Sequence, residues 1–200
     1  MEAAPRPPPS PYGPLMCPLD LVPPLPPDPS REPIAFVRFR SPVGRIEVVA
    51  RDGAVERLHV ERDGRLPHED DEDDLPDDLL RSAQRQISDY FAGVRRSFDL
   101  PLRPLGTPFQ QSVWAALESV PWGGTTTYGA LGARVGKPQA GRAVGRAVAS
   151  NPLPLLVPCH RVLGRTGGLT GYTVGGGIST KAWLLGHEGI TYRLGPVPVD

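Results

Sequence analysis

The chain reads as an α+β protein, and three observations carry that reading. Residues 34–60 alternate apolar and polar side chains between turn signals, as strands do. Apolar residues then recur at helical spacing from Asp77, and from Thr107 onward the chain is punctuated by helix caps and helix stops. The expected order is an α+β region over 34–104 and a mostly helical region over 105–192. A proline-rich leader (1–33) precedes them and a short tail (193–200) follows.

The leader holds thirteen of the twenty-six prolines, including Pro7-Pro8-Pro9. It lacks the backbone donors and the apolar content for a core, so it reads as disordered or polyproline-like. It is either a docking tail or a dispensable extension. From Ile34, Phe36, Arg38 and Arg40 alternate with Val37 and Phe39, and Arg45-Ile46-Glu47-Val48-Val49 follows as a second strand. Arg51-Asp52-Gly53 signals a tight turn, and Val55 to Val60 returns as a third strand in antiparallel hairpins. Between Glu69 and Asp78 stand eight acidic residues in ten positions, the pattern of a solvated loop. Leu80, Ala83, Ile87, Phe91 and Val94 then predict a helix of about five turns packed on the sheet. Residues 98–106 read as a linker.

In the second half, Thr107-Pro108-Phe109-Gln110 combines a capping hydroxyl, proline at the first helical position and glutamine placed for a capping box. Val113, Trp114, Leu117 and Val120 give that helix its apolar face. A short helix follows from about Thr127 to Gly136, and a third runs from about Pro138 to Ser150, stopped by Asn151-Pro152. The last two, joined by a tight turn, have the outline of a helix-turn-helix. Ala140, Val144, Ala147 and Val148 form the buried stripe of the third helix, and Arg142 and Arg146, four apart, share its exposed face. That face is either a solvated basic surface or one that approaches a nucleic-acid backbone through the small residues Gly141, Ala143 and Gly145. An apolar, proline-stiffened segment, Leu153 to Pro158, delivers Cys159. A glycine-rich loop carries Tyr172, and a last helix from about Thr180 presents Trp183, Leu184 and Leu185 inward before ending near Glu188-Gly189.

Composition excludes several classes. The net charge is zero but split: from Leu105 on there are eight Lys/Arg against three Asp/Glu, leaving fourteen against nineteen in the first 104 residues. The positive second half suits an anionic partner. Cys17 and Cys159 cannot form a metal-ligand pattern with His59, His68, His160 and His187, so neither a disulfide framework nor a metal site is readable. No stretch approaches the roughly 20 apolar residues of a membrane span, and the first residues lack a basic start followed by an apolar core. A reducing, cytoplasmic setting fits best.

The chemistry centres on Pro158-Cys159-His160-Arg161-Val162. A thiol with a pKa of about 8.5 needs an adjacent base or a positive field to react near neutrality. For a bare Cys-His pair, an inert, buried cysteine beside a surface histidine is the better reading. The surrounding residues decide between the two: Phe109-Gln110-Gln111-Ser112-Val113-Trp114, Thr127-Tyr128-Gly129, Gly141-Arg142-Ala143-Val144-Gly145, Asn151-Pro152 with Pro154, Val157 through Val162, Gly171-Tyr172, and Lys181 with Trp183-Leu184-Leu185 and His187-Glu188-Gly189. In this order and spacing, over about residues 105–190, the chain resembles the 6-O-alkylguanine-DNA alkyltransferases, also called methylated-DNA–protein-cysteine methyltransferases.

The resemblance implies a ribonuclease-H-like α+β first domain and a winged-helix-like second domain with the helix-turn-helix. It implies direct, irreversible transfer of a methyl or other alkyl group from the guanine 6-oxygen to Cys159, with 4-O-alkylthymine a possible further substrate. No cofactor is required, each molecule acts once, and the partner is double-stranded DNA containing an alkylated guanine. His160 matches the base that takes the thiol proton through a water, an arrangement that suits adjacent side chains pointing to opposite sides of an extended segment. Glu188 matches the acid that orients this histidine, Asn151 the residue tying the helix turn to the cysteine segment, and Tyr128 the tyrosine that bonds the lesion base. Arg142 matches the finger that fills the stack after base flipping, with Arg146 beside it on the DNA-facing surface. Pro154, Tyr172, Thr173 and the Val162 carbonyl match the pocket walls and the guanine-reading edge. One departure stands out: the segment from Tyr172 to Lys181 is about two residues longer than usual. Two other readings stay open, a non-catalytic lesion-binding protein on the same scaffold and a plain helix-turn-helix regulator.

Overall fold

A computed structural model describes residues 35–70 and 76–193. The proline-rich leader with Cys17, residues 71–75 of the acidic run and residues 194–200 lie outside the described residues. The described part of the chain forms one compact α+β unit.

Three strands, β1 (Ala35–Ser41), β2 (Gly44–Arg51) and β3 (Ala54–Val60), make an antiparallel sheet in sequence order. Asp52 and Gly53 both adopt positive φ, as the two-residue turn between right-twisted strands requires, and a Gly relieves the strain at one of the two positions. A bulge at Val49/Ala50 shifts the register of β2 against β3. Val37, Ile46, Val48, Val55 and Leu58 face the core. Glu47 is fully buried on β2, where it is held by the His68 ring (Oε1···Nδ1 2.7 Å). This pairing, with the Arg45 ion pairs to Glu61 and Glu69, pins the start of the acidic run to the sheet.

Helix α1 (Asp78–Phe91) is capped by Asp77, whose carboxylate accepts from the Leu80 amide at 2.7 Å, a contact worth about 1 kcal/mol. It buries Leu80, Ala83, Ile87 and Tyr90. The helix is about a turn shorter than its apolar spacing predicts. Gly93 takes a positive φ just beyond its end, and Val94 is left 76% exposed. The expected linker at 98–106 has no regular structure, yet it is stitched to β3: Val55 donates to Pro101, and Arg103 donates back to Val55.

The second half stacks α2 (Pro108–Glu118), α3 (Tyr128–Arg134) and α4 (Gly141–Ala149). Both bonds of the Thr107–Gln110 capping box are present. Trp114, fully buried, donates from its indole to the Ala147 carbonyl at 2.8 Å and so locks α2 to α4. Between α3 and α4 the backbone passes so close to Gly132 that a Cβ there would stand 2.8 Å from the Lys137 carbonyl oxygen. Helix α4 starts three residues later than expected, because Lys137–Ala140 form a turn (Ala140 N to Lys137 O, 3.0 Å). Val144, Ala147 and Val148 are its buried stripe, and Arg142 and Arg146 are exposed.

A two-residue parallel pairing joins β4 (Thr126–Thr127) to β5 (Val162–Leu163). It binds the start of α3 to the chain just after Cys159. The last helix, α5, spans Ile178–His187 with Glu188 at its C-cap. Leu184 and Leu185 are buried as expected, but Trp183 is 37% exposed and stacks on His187 (ring centroids 5.0 Å apart) rather than entering the core.

Candidate active site

Residues 151–163 position the chemistry. After α4, Asn151 turns the chain: its side-chain oxygen accepts from the Leu153 amide (3.0 Å) and its amide donates to the Val157 carbonyl (2.8 Å). Leu155 adopts φ +76°, a left-handed conformation that costs a non-glycine residue energy and is held here by burial. The segment then enters a 3-10 turn at Cys159–Arg161, closed by the Arg161 amide on the Pro158 carbonyl at 3.0 Å. The expected extended segment is absent at Cys159–Arg161. Three consecutive side chains instead leave a tight turn in three directions.

Cys159 is 3% exposed and borders a cavity of about 200 Å³ also lined by Tyr128, Gly145, Asn151, Gly171, Tyr172, Thr173 and Val174. A wider cleft of about 560 Å³ between β3 and the end of α4 shares Asn151 and Thr173 but is not lined by Cys159. The small cavity is therefore the candidate reaction site. Burial pushes the thiol up, and the nearby Asn151 and Tyr172 dipoles and the Lys181 ammonium offset this only in part. Neither dipole makes a well-formed bond to sulfur. The Asn151 amide donates to the Val157 carbonyl, and the Tyr172 hydroxyl has no partner among the described residues. At rest the sulfur is a thiol, and it needs a base at the moment of reaction.

That base stands one residue on. His160 is fully buried, with Nε2 2.8 Å from Glu188 Oε1 and with Nδ1 unpartnered among the described residues. Burial lowers its pKa, the Glu188 hydrogen bond opposes the shift, and the outcome is a neutral imidazole. An ionised carboxylate at Nε2 requires the proton there, which leaves Nδ1 as the acceptor. Glu188 is itself heavily bonded. Its Oε1 accepts from Tyr90 (2.8 Å), His160 and Arg161 Nη2 (2.9 Å), and its Oε2 accepts from Arg161 Nε (2.8 Å). Burial alone would raise this carboxyl, but the hydrogen bonds from His160 and Arg161 outweigh it and hold the pKa at about 2. Arg161 spends its remaining arm on the Val120 carbonyl (2.6 Å).

Of the other expected site residues, Tyr128, Tyr172 and Thr173 line the cavity with Cys159. Tyr128 accepts a hydrogen bond from Thr170 Oγ1 at 3.3 Å. The Val162 carbonyl accepts from the buried Lys181 Nζ at 2.6 Å, and Lys181 reaches the Thr170 carbonyl as well (2.9 Å). Burial pulls the Lys181 pKa down to about 8, against the opposing pull of Cys159. Pro154 lines the wider cleft rather than the cavity, and Arg142 and Arg146 stand outside it on α4. Sequence reasoning missed three features: Tyr90, the anchoring role of Arg161 and the Lys181 clamp that joins the expected Val162 carbonyl to that of Thr170. Among the described residues no group of three or more His, Cys, Asp or Glu is placed to hold a metal ion.

Comparison with known proteins adds a family to this geometry. Residues 37–104 match the family described as 6-O-methylguanine DNA methyltransferase, ribonuclease-like domain, and residues 108–190 match its DNA binding domain. The constitutive methylated-DNA–protein-cysteine methyltransferase of Bacillus subtilis is 40% identical over 163 residues, which span 79% of this chain and 97% of that protein. The chain belongs to the 6-O-methylguanine DNA methyltransferase family. A member from Methanosarcina acetivorans is 41% identical over 154 residues, 77% of this chain and 97% of its own length. The crystal structure of the 6-O-methylguanine methyltransferase of Mycobacterium tuberculosis superposes with a TM-score of 0.68 at 38% identity, covering 78% of this chain and 92% of that one. A second crystal structure of the Mycobacterium tuberculosis protein, in complex with DNA, superposes equally well (TM-score 0.68, 38% identity, 78% and 93% covered). In this methyltransferase, Cys159, His160, Arg161 and Glu188 all lie in the DNA-binding match, whereas Tyr90 lies in the ribonuclease-like one.

Proposed function

We propose that this chain repairs alkylated DNA by moving an alkyl group from the guanine 6-oxygen to Cys159, once per molecule. The observation that carries the assignment to these residues is the buried thiol on a cavity wall, one residue from an imidazole whose Nε2 is engaged by Glu188 and whose Nδ1 is open. His160 Nδ1 takes the Cys159 proton through an intervening water. The sulfur forms a bond to the alkyl carbon, and the carbon–oxygen bond breaks. The electron pair stays on guanine, which takes a proton from the Tyr128 hydroxyl, and solvent restores the tyrosine. The developing imidazolium is stabilised by Glu188, which stays ionised throughout because its pKa is held at about 2.

Burial of the target base in a duplex demands extrusion, at a cost of a few kcal/mol. Arg142 is assigned the vacated place in the stack, and Arg146 the neighbouring phosphate. Asn151 keeps the cysteine turn registered to the end of α4, Tyr172 and Thr173 form the pocket boundary, the Val162 carbonyl held by Lys181 is assigned to reading the guanine edge, and Pro154 belongs to the adjoining cleft. The split between a ribonuclease-like domain and an alkyltransferase domain falls at about residues 104–105. A cytoplasmic setting would keep Cys159 reduced. A non-catalytic role would leave both Cys159 and the polarised imidazole without use.

The test is incubation with duplex DNA carrying one 6-O-methylguanine, followed by intact and peptide mass spectrometry. The expected result is a gain of one methylene on the peptide bearing Cys159, saturating at one equivalent per protein. Fully reduced protein that binds the duplex and acquires nothing refutes the assignment.

A further inference from the structure

Glu188 Oε1 accepts three hydrogen bonds, and one of them crosses from the first half of the chain. Tyr90 on α1 is fully buried and 98 residues away in sequence, yet its hydroxyl stands 2.8 Å from that oxygen. The ring is caged by Phe91, Phe98, Trp122 and His187, with centroids 5.1–5.6 Å away. A second bond comes from the same residue: the Tyr90 carbonyl accepts from His187 Nε2 at 2.7 Å. Tyr90 therefore holds both the last residue of α5 and its C-cap, the carboxylate beside His160.

We propose that Tyr90 is a positioning residue for the transfer reaction: it fixes Glu188 Oε1 from the first half of the chain, and through it the tautomer and orientation of His160. The proposal rests on the reading of His160–Glu188 as the base for Cys159. Against an ionised carboxylate the tyrosine can only donate. That donated bond draws charge from Oε1 and limits how strongly the oxygen pulls on the His160 Nε2 proton. Without the hydroxyl, the carboxylate can rotate about its remaining partners and hold the imidazole proton more tightly. His160 then becomes more basic and less precisely aimed. The other ionisable groups facing this pair are Arg161 and Cys159 from the 3-10 turn, Lys181 from α5 and Tyr172 from the glycine-rich loop. None of them is removed by a change at Tyr90.

The experiment measures the transfer rate from 6-O-benzylguanine as a free base, across the pH range that brackets histidine titration, for the full chain and for Tyr90→Phe and Glu188→Gln. The ring remains in Tyr90→Phe, so the aromatic cage stays filled. The expected rate near neutral pH falls about tenfold, the scale of one lost hydrogen bond to a charged group. The ascending limb of the profile moves to higher pH. Site-specific 3-fluorotyrosine at position 90, a stronger donor, moves the limb to lower pH; a purely structural tyrosine would not produce this opposite shift. If Glu188→Gln alters the profile but neither change at Tyr90 moves the limb, Tyr90 is only packing and the proposal is overturned. If none of the variants alters the profile, the base assignment itself fails, and this proposal with it.

Discussion

Removing Arg161 should cost this protein more than removing any surface cation, because its buried guanidinium is the main counter-charge of a buried carboxylate. Arg161→Met keeps the apolar stem but deletes both bonds to Glu188 and the bond to Val120. Breaking a buried pair on one side costs about 3–5 kcal/mol, and an unpaired Val120 carbonyl adds about 1 kcal/mol. At about 2–4 °C per kcal/mol for a chain of this size, the midpoint of thermal unfolding should drop by about 10–20 °C. The assay is denaturant unfolding of the wild type, Arg161→Met, Glu188→Gln and the double variant. The double variant should lose about 3 kcal/mol less than the sum of the singles. The pH dependence follows from the sign of the Glu188 shift. The folded value of about 2 lies below the unfolded carboxylate value of about 4.3, so the stabilisation is complete above the latter. It fades as pH falls from about 4 toward about 2, and the gap between wild type and Arg161→Met should narrow over that window. A loss under about 1 kcal/mol with an additive cycle would mean that the pair behaves like a surface contact, refuting the reasoning.

Two further outcomes separate DNA handling from chemistry. Arg142→Ala should slow repair of 6-O-methylguanine in duplex DNA far more than reaction with free 6-O-benzylguanine, measured as second-order rates; equal losses would place the defect in the pocket. Gly132→Ala puts a Cβ 2.8 Å from the Lys137 carbonyl oxygen and should destabilise by about 1–3 kcal/mol while pushing α3 from α4. Its duplex affinity, read by fluorescence anisotropy, should fall, and unchanged affinity and stability would show that the turn absorbs the methyl.

What the sequence disclosed is what local physics controls. The Asp52-Gly53 turn, the Thr107–Gln110 capping box and the α2 face of Val113, Trp114 and Leu117 each depend on residues within a few positions of one another. The Cys159–His160–Glu188 set was legible only through the longer pattern of motifs around it. The 3-10 turn was not legible, since Pro158-Cys159-His160 carries no periodicity that tells it from an extended strand. The end of α1 was missed because Val94 continues the apolar spacing, while Gly93 ends the helix before it. Tyr90 shows where a signal existed unread. It falls three positions after Ile87, on the buried stripe of α1, and a buried tyrosine hydroxyl needs a polar partner. Which partner depends on the packing of α1 against α5, and no local pattern contains that.

The 3-10 turn at Cys159–Arg161 has one more consequence. With three residues per turn, successive side chains leave about 120° apart, so the nucleophile is turned away from the base and the anchor, which converge on Glu188. Cys159 takes the direction of the cavity, His160 that of Glu188, and Arg161 that of Glu188 and Val120. A one-residue insertion here would not lengthen a loop harmlessly; it would hand each role to the wrong neighbour. The turn works as a three-position dial with a single productive setting, transplantable only as a whole.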